Sequence, residues 1–161
     1  MKYFKFIYLS TFCCLISILS FFNIIYSYYL NLYLNLNTYI WTFFVSLLFA
    51  FIFYYSKTNE EKKISIYKKI ITILFGYFFL PLIISIPFYF SIYNLTFINS
   101  YFEAISGFTS TGFSIFDNIK HIDQSLIIWR SSSQWVGGLY FLFSIILLID
   151  IFDNSFKKSL T

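Results

Sequence analysis

Between residues 6 and 56 the chain carries no Asp, Glu, Lys or Arg, and residues 70–102 form a second stretch free of them. A run of about 18 or more apolar residues already suffices to cross a bilayer as a helix. The first stretch therefore has room for two spans, and the second for one span plus a loop. Of the 161 residues 59% are hydrophobic and only 11% are charged, against about a quarter charged in ordinary soluble domains. Such a chain is neither intrinsically disordered, nor collagen-like, nor a disulfide-stapled secreted module. It reads as an all-α integral membrane protein with four transmembrane helices.

The formal net charge is +4, and its meaning lies in where the charges sit. Lys2 and Lys5 precede the first run. Lys57, Lys62, Lys63, Lys68 and Lys69 separate the second span from the third, and Lys157 and Lys158 follow the last. With these clusters in the cytoplasm, an even number of crossings satisfies the positive-inside rule, and both termini of a multi-pass inner (plasma) membrane protein are cytoplasmic. No nucleic-acid partner is expected, since a short juxtamembrane loop cannot also wrap a duplex. Cys13 and Cys14, adjacent inside the first run, read as small apolar fillers rather than metal ligands or a disulfide. The start resembles a signal peptide only superficially, because the run is long and lacks a small-residue cleavage site.

The expected organisation is a two-helix hairpin over 1–56, a cytoplasmic basic linker over 57–69, a unit of helix, loop and helix over 70–150, and a cytoplasmic tail over 151–161. The spans fall near 6–29, 39–55, 70–90 and 126–150. Asn31, Asn35 and Asn37 suit an outer turn within the hairpin. Pro81 and Pro87 are expected to kink the third span. The adjacent Gly137 and Gly138 invite a second helix to pack closely against the fourth.

Residues 94–106 carry Leu95, Phe97, Ile98, Tyr101, Phe102 and Ile105 at helical spacing, yet the pattern is too short to cross. About 10 helical residues rise about 15 Å, half of a hydrocarbon core about 30 Å thick. This is the expected length of a re-entrant half-helix. Ser106, Gly107, Phe108, Thr109, Ser110, Thr111, Gly112, Phe113 and Ser114 follow it. Non-helical backbone at membrane depth is tolerated only where it is buried in protein or lines a water-filled cavity. A helix ending at the midplane presents the negative end of its dipole there, and returning carbonyls can replace the water around a dehydrated cation. Gly107 and Gly112 are expected to supply unusual backbone angles. A surface turn rich in Ser, Thr and Gly is the alternative that spacing leaves open.

The segment Phe102, Glu103, Ala104, Ile105, Ser106, Gly107, Phe108, Thr109, Ser110, Thr111, Gly112 resembles the first filter region of the Trk/Ktr/HKT potassium uptake proteins, especially their TrkH branch. Trp129, Arg130, Ser131, Gln134, Trp135, Gly137 and Gly138 are similar to that branch's signature after the filter, and Pro87 matches a proline in the helix before it. Two helices ahead of the first repeat are likewise a feature of the branch. The resemblance implies four units of helix, pore loop and helix around one ion path, of which these residues would form one. It implies backbone cation sites at Thr109, Ser110, Thr111 and Gly112, with Glu103, Gly107, Arg130 and Gln134 supporting them. The permeant ion would be potassium, sometimes also sodium, with no resident cofactor and no enzyme chemistry. Implied partners are membrane lipid, a chain carrying the remaining pore-loop repeats, and a cytoplasmic TrkA-like nucleotide-binding regulator. Ser110 replaces a common threonine, and Phe113 stands where a smaller residue is frequent.

Glu103 and Arg130 are isolated charges in apolar surroundings, which are expensive unless paired or wetted. They are expected either to join one polar network behind the filter, in which case reversing both restores what either single reversal loses, or to reach outer water separately. Trp129 and Trp135 read as packing or interfacial anchors. His121, with Asp117, Lys120 and Asp123, lacks the spacing of a metal or catalytic site. Three functional readings follow: a TrkH-like potassium transport unit, a homotetrameric cation channel, and a non-conducting remnant or membrane scaffold.

Overall fold

The computed structural model describes residues 4–56, 66–91, 93–116 and 122–159, which contain helices and turns and no strands. Helix α1 is Phe4–Tyr29, and a 3-10 turn at Tyr33–Asn35 leads into α2, Leu36–Tyr55. Helix α3, Ile66–Ile84, is followed by a single turn, α4, Ile86–Tyr89. Then come α5, Phe97–Phe108, and α6, Gln124–Ser159. Four stretches, Ile7–Tyr29, Tyr33–Tyr55, Lys69–Tyr89 and Gln124–Ile149, are long and apolar enough to cross a membrane. The 36 residues of α6 give a rod of about 54 Å, and its backbone continues unbroken past the expected boundary near 150. Most of the basic linker, and His121 with Asp117 and Lys120, lie outside the described residues, as do the side chains of Lys157 and Lys158.

The hairpin of α1 and α2 is built with its polar face inward. Ser20, Asn23 and Ser27 on α1, and Thr38, Thr42 and Ser46 on α2, recur every three or four residues and are buried. Phe22, Trp41, Phe44 and Leu48 face outward. In water this would be inside out. In lipid, apolar contacts between helices gain nothing over contacts with acyl chains, so small residues that allow close approach and hydroxyls that bond across the interface hold helices together. Ser10 Oγ accordingly donates to the Ala50 carbonyl and Ser20 Oγ to the Tyr39 carbonyl, each at 2.8 Å, which makes the two helices antiparallel.

Helices α3 and α6 are also antiparallel. The Trp129 indole donates to the Ile84 carbonyl at 3.0 Å, and the Tyr140 hydroxyl to the Ile73 carbonyl at 2.8 Å. Pro81 stays inside α3, whereas the break falls at Ser85, just ahead of Pro87. Pro87 has no amide proton and crowds the preceding turn, and Trp129 bonds the last carbonyl of α3 at that break. Gly76 makes room for Tyr140, since a Cβ there would overlap the Tyr140 hydroxyl and lie 3.0 Å from Leu9 Cδ2. Gly76→Ala is expected to cost about 1–3 kcal/mol by overpacking, read as a lower unfolding midpoint in detergent. Adding Tyr140→Phe should recover part of it, because the hydroxyl is the atom met first.

One expectation for the hairpin turn needs correction. Asn31 does occupy a turn, at φ 56°, but Asn35 is fully buried. Its Nδ2 donates to Asp123 Oδ2 at 2.7 Å, so it joins the hairpin to the start of α6 rather than facing water.

Candidate functional site: the loop after α5

Helix α5 begins where Thr96, in extended conformation, accepts the Asn99 amide at 3.3 Å, an ordinary N-cap. Its 12 residues rise about 18 Å. The helix ends two residues later than expected, with Gly107 and Phe108 still helical. Gly107 therefore supplies no unusual backbone angle, which corrects the expectation from sequence. It supplies space: a Cβ there would sit 2.5 Å from Ser133 Oγ on α6. On the facing helix Ser133 and Gly137 form a small-xxx-small pair, and a Cβ on Gly137 would overlap the Phe108 carbonyl. A Cβ on Gly138 meets nothing within 4 Å, so the close approach uses one glycine of the pair.

The termination of α5 is a Schellman motif. The Ser110 amide donates to the Gly107 carbonyl at 3.0 Å and the Thr111 amide to the Ser106 carbonyl at 3.1 Å. The left-handed residue this requires is Ser110, at φ 56°, and Gly112 follows at φ 82°. Thr109 Oγ1 donates to the Ile105 carbonyl at 2.7 Å. Thr111 Oγ1 lies 3.2 Å from both the carbonyl and the hydroxyl of Ser106. The helix end thus satisfies its own carbonyls through residue 107, and the chain leaves it as irregular backbone with Gly112 at positive φ.

Two charged side chains hold the departing segment. The fully buried Glu103 accepts the Ile115 amide at 3.0 Å on Oε2, and the Ser114 hydroxyl lies 3.1 and 3.2 Å from its two oxygens. Ser114 Oγ in turn accepts the Phe116 amide at 3.2 Å. Arg130 Nη2 donates to the Phe113 carbonyl at 3.0 Å and more weakly to the Gly112 carbonyl at 3.4 Å, while Ser106 Oγ donates to the same Phe113 carbonyl at 2.6 Å. Arg130 Nε lies 2.9 Å from Glu103 Oε1. Its N–H is not aimed along that contact and makes no hydrogen bond, so the attraction there is coulombic rather than directional.

Glu103 and Arg130 are thus neighbours in one network behind the loop, rather than two charges reaching water separately. Among the described residues no hydrogen bond reaches the carbonyls of Thr109, Ser110 or Thr111. The Gly112 carbonyl, grouped with them from sequence, has Arg130 as a partner. Phe113 is 70% exposed, so its ring does not crowd the loop. Trp129 is buried against Tyr39, with ring centroids 5.9 Å apart, whereas Trp135 is exposed. Gln134 is half-buried and makes no hydrogen bond with the described residues, so the structure does not bring it into the network.

A second polar cluster was not foreseen. Asp123 caps α6, its backbone carbonyl accepting the Leu126 and Ile127 amides at 2.9 and 3.1 Å. Its carboxylate accepts the Asn35 amide group and the Ser125 hydroxyl, at 2.7 and 2.9 Å. The Tyr39 hydroxyl donates to Ser125 Oγ at 2.9 Å, and Asn23 Nδ2 to the Ser125 carbonyl at 3.2 Å. The available signal was an Asp directly before a helical run, which is an N-cap pattern.

Comparison with known proteins gives partial relatives. An uncharacterized cation transporter of Methanocaldococcus jannaschii is 26% identical over 110 residues, which is 68% of this chain and 23% of that protein. The Trk system potassium uptake protein TrkG of Escherichia coli is 39% identical over 46 residues, 29% of this chain and 10% of that protein. TrkH of Salmonella typhimurium is 27% identical over 99 residues, 61% of this chain and 20% of that protein. The chain therefore matches less than a quarter of the length of these relatives. No family model and no solved structure matches it. The four apolar helices and these relatives support a membrane location. The chain's curated homologues are accordingly Trk potassium uptake proteins and a cation transporter, at modest identity over part of its length.

Proposed function

We propose that the chain takes part in potassium transport, with residues 97–116 as a re-entrant pore loop and residues 70–150 as one helix, pore loop and helix unit. The observation that carries this reading is the unequal treatment of neighbouring carbonyls. Those of Gly112 and Phe113 are bonded by Arg130 and Ser106, while those of Thr109, Ser110 and Thr111 receive no hydrogen bond among the described residues. Thr109, Ser110 and Thr111 are exposed, so their carbonyls are open to an ion or water; at the proposed membrane depth they would need one or the other, and replacing an ion's hydration shell is what a carbonyl-lined filter does. The Trk relatives support potassium transport in general.

One such loop cannot surround an ion, so the proposed pathway is completed by three further units carried elsewhere. The hairpin of residues 1–56 precedes the unit, with the linker and both termini in the cytoplasm of an inner-membrane protein. A TrkA-like cytoplasmic regulator belongs to the proposal. No resident cofactor does, and potassium, with sodium as a lesser substrate, is the cargo.

The test is rubidium uptake and potassium-limited growth in a bacterium lacking its own potassium uptake systems. The chain is expressed alone and together with the remaining pore-loop units. Uptake only in combination supports the proposal, uptake by the chain alone indicates a homomeric channel, and none in either case, with insertion verified, indicates a scaffold. In the active combination Gly112→Val is expected to lower uptake about tenfold or more. A Cβ there meets nothing within 4 Å, so the loss would come from strain at positive φ, on the order of 1–3 kcal/mol, and insertion should be unchanged.

A further inference from the structure

Residues of the α1–α2 hairpin lie far from the loop after α5 in sequence, yet two continuous routes join them in space. The first runs along α6. Asn35 and Tyr39 bond the Asp123 carboxylate and Ser125 hydroxyl that open the helix, and seven residues further, two turns along the same rigid element, Arg130 holds the Gly112 and Phe113 carbonyls. The second runs through Tyr93. Its hydroxyl accepts the Asp123 amide at 2.9 Å, and its ring meets Phe116 edge-on with centroids 5.6 Å apart. The Phe116 amide donates to Ser114 Oγ, which lies on Glu103. Both routes start at Asp123 and end on the two charged groups that hold the loop.

We propose that Asp123, Asn35 and Tyr39 are positioning residues for the loop of residues 109–114, so that the α1–α2 hairpin sets the geometry of that loop through the first turn of α6. The permeation arm of this inference rests on the function proposed above; the geometric arm does not. A hydrogen bond from an amide to a carboxylate, here partly buried, is strong and directional, and hydrogen-bond networks joined to rigid helices are the kind of element that carries coupling between separated groups. Hairpin and loop are therefore coupled through the first turn of α6 and through Tyr93.

The experiment places a reporter on the loop in the full chain. In a Cys13→Ala, Cys14→Ala background, Phe113→Cys is reacted with a positively charged methanethiosulfonate reagent, in membranes containing the chain alone. Asp123→Ala is expected to change the reaction rate at least fivefold. Exchanging the partners, with Asn35→Asp and Asp123→Asn together, restores an amide facing a carboxylate; the Ser125 hydroxyl, which donates to the same oxygen, can rotate to accept from the new amide, and the rate should return to within about twofold. Should Asp123→Ala fail to insert, Tyr39→Phe removes one hydroxyl from the cluster and is expected to change the rate about twofold. Unchanged rates in the inserted variants, or no recovery in the exchange, would overturn the proposal. In the combination that takes up rubidium, Asp123→Ala should lower the ratio of rubidium to sodium uptake severalfold, and the exchange should restore it. An unchanged ratio counts against positioning. Absence of rubidium uptake by the unsubstituted protein would defeat the transport reading and leave the labelling rates to decide the coupling.

Discussion

If the proposed combination with further pore-loop units takes up rubidium, Gly137→Ala is expected to abolish that uptake, and in the chain alone to lower the unfolding midpoint more than any other glycine substitution. The reason is what the added methyl would meet. At Gly137 the neighbours are the carbonyl oxygen, carbonyl carbon and Cα of Phe108, the last at 2.9 Å. Backbone cannot rotate away as a side chain can, so α5 would have to move off α6 and carry the loop with it. Overpacking typically costs about 1–3 kcal/mol, and a clash with backbone belongs at or above the top of that range. Two controls isolate the cause. At Gly107 the first atom met is Ser133 Oγ, which can change rotamer, so Gly107→Ala should be milder, and Ser133→Ala should recover part of its effect. At Gly138 nothing lies within 4 Å, so Gly138→Ala should be neutral in the chain alone. If Gly138→Ala lowers uptake in the combination with further units, one of those units packs there. Equal effects of Gly137→Ala and Gly138→Ala on the chain alone would refute the argument.

The features that the sequence made legible are those in which one residue type has a single workable solution. Charge-free stretches long enough to cross a bilayer became the first two helices and the third. Glu103 and Arg130, isolated in apolar surroundings, had to be either paired or wetted, and of those two expectations the structure takes the first, making them neighbours at 2.9 Å. The short apolar pattern after residue 94 became a helix that ends before it could cross. Legibility failed where one residue type serves two purposes. Glycine marks both positive φ and close packing, so Gly107 suggested a turn when it makes room for Ser133, while the left-handed residue of the Schellman motif is Ser110. Asparagine and aspartate mark both solvated turns and buried bonds. Asn35, read as part of an outer turn, and Asp123, given no role from sequence, instead tie the hairpin to α6. Choosing between those meanings requires knowing which residues face one another across helices, which periodicity along a single helix does not supply.

In the combination proposed to take up rubidium, removing either member of the Glu103 and Arg130 pair is expected to lower uptake about 100-fold or more, and exchanging the two is expected not to restore it. Both side chains are buried, with relative exposures of 10% for Arg130 and 0% for Glu103. Breaking a buried pair by deleting one partner leaves an uncompensated charge and costs about 3–5 kcal/mol, whereas about 2.7 kcal/mol already corresponds to 100-fold in a rate. If coulombic attraction were all that mattered, the reversed pair Glu103→Arg with Arg130→Glu would recover function. The hydrogen bonds forbid it. Position 103 must accept, because the Ile115 amide and the Ser114 hydroxyl donate to it, and position 130 must donate, because the Gly112 and Phe113 carbonyls face it. The exchange would set a guanidinium at position 103 against two donors and a carboxylate at position 130 against two acceptors. Reversal should therefore recover part of the thermal stability, through restored charge balance, while uptake stays at the level of the single variants. Glu103→Gln keeps an acceptor and should be the mildest change at that site, and Arg130→Lys keeps the charge but reaches fewer carbonyls. Full recovery of uptake by the exchanged pair would show that the two residues act as charges alone and that the bonded carbonyls are incidental to function.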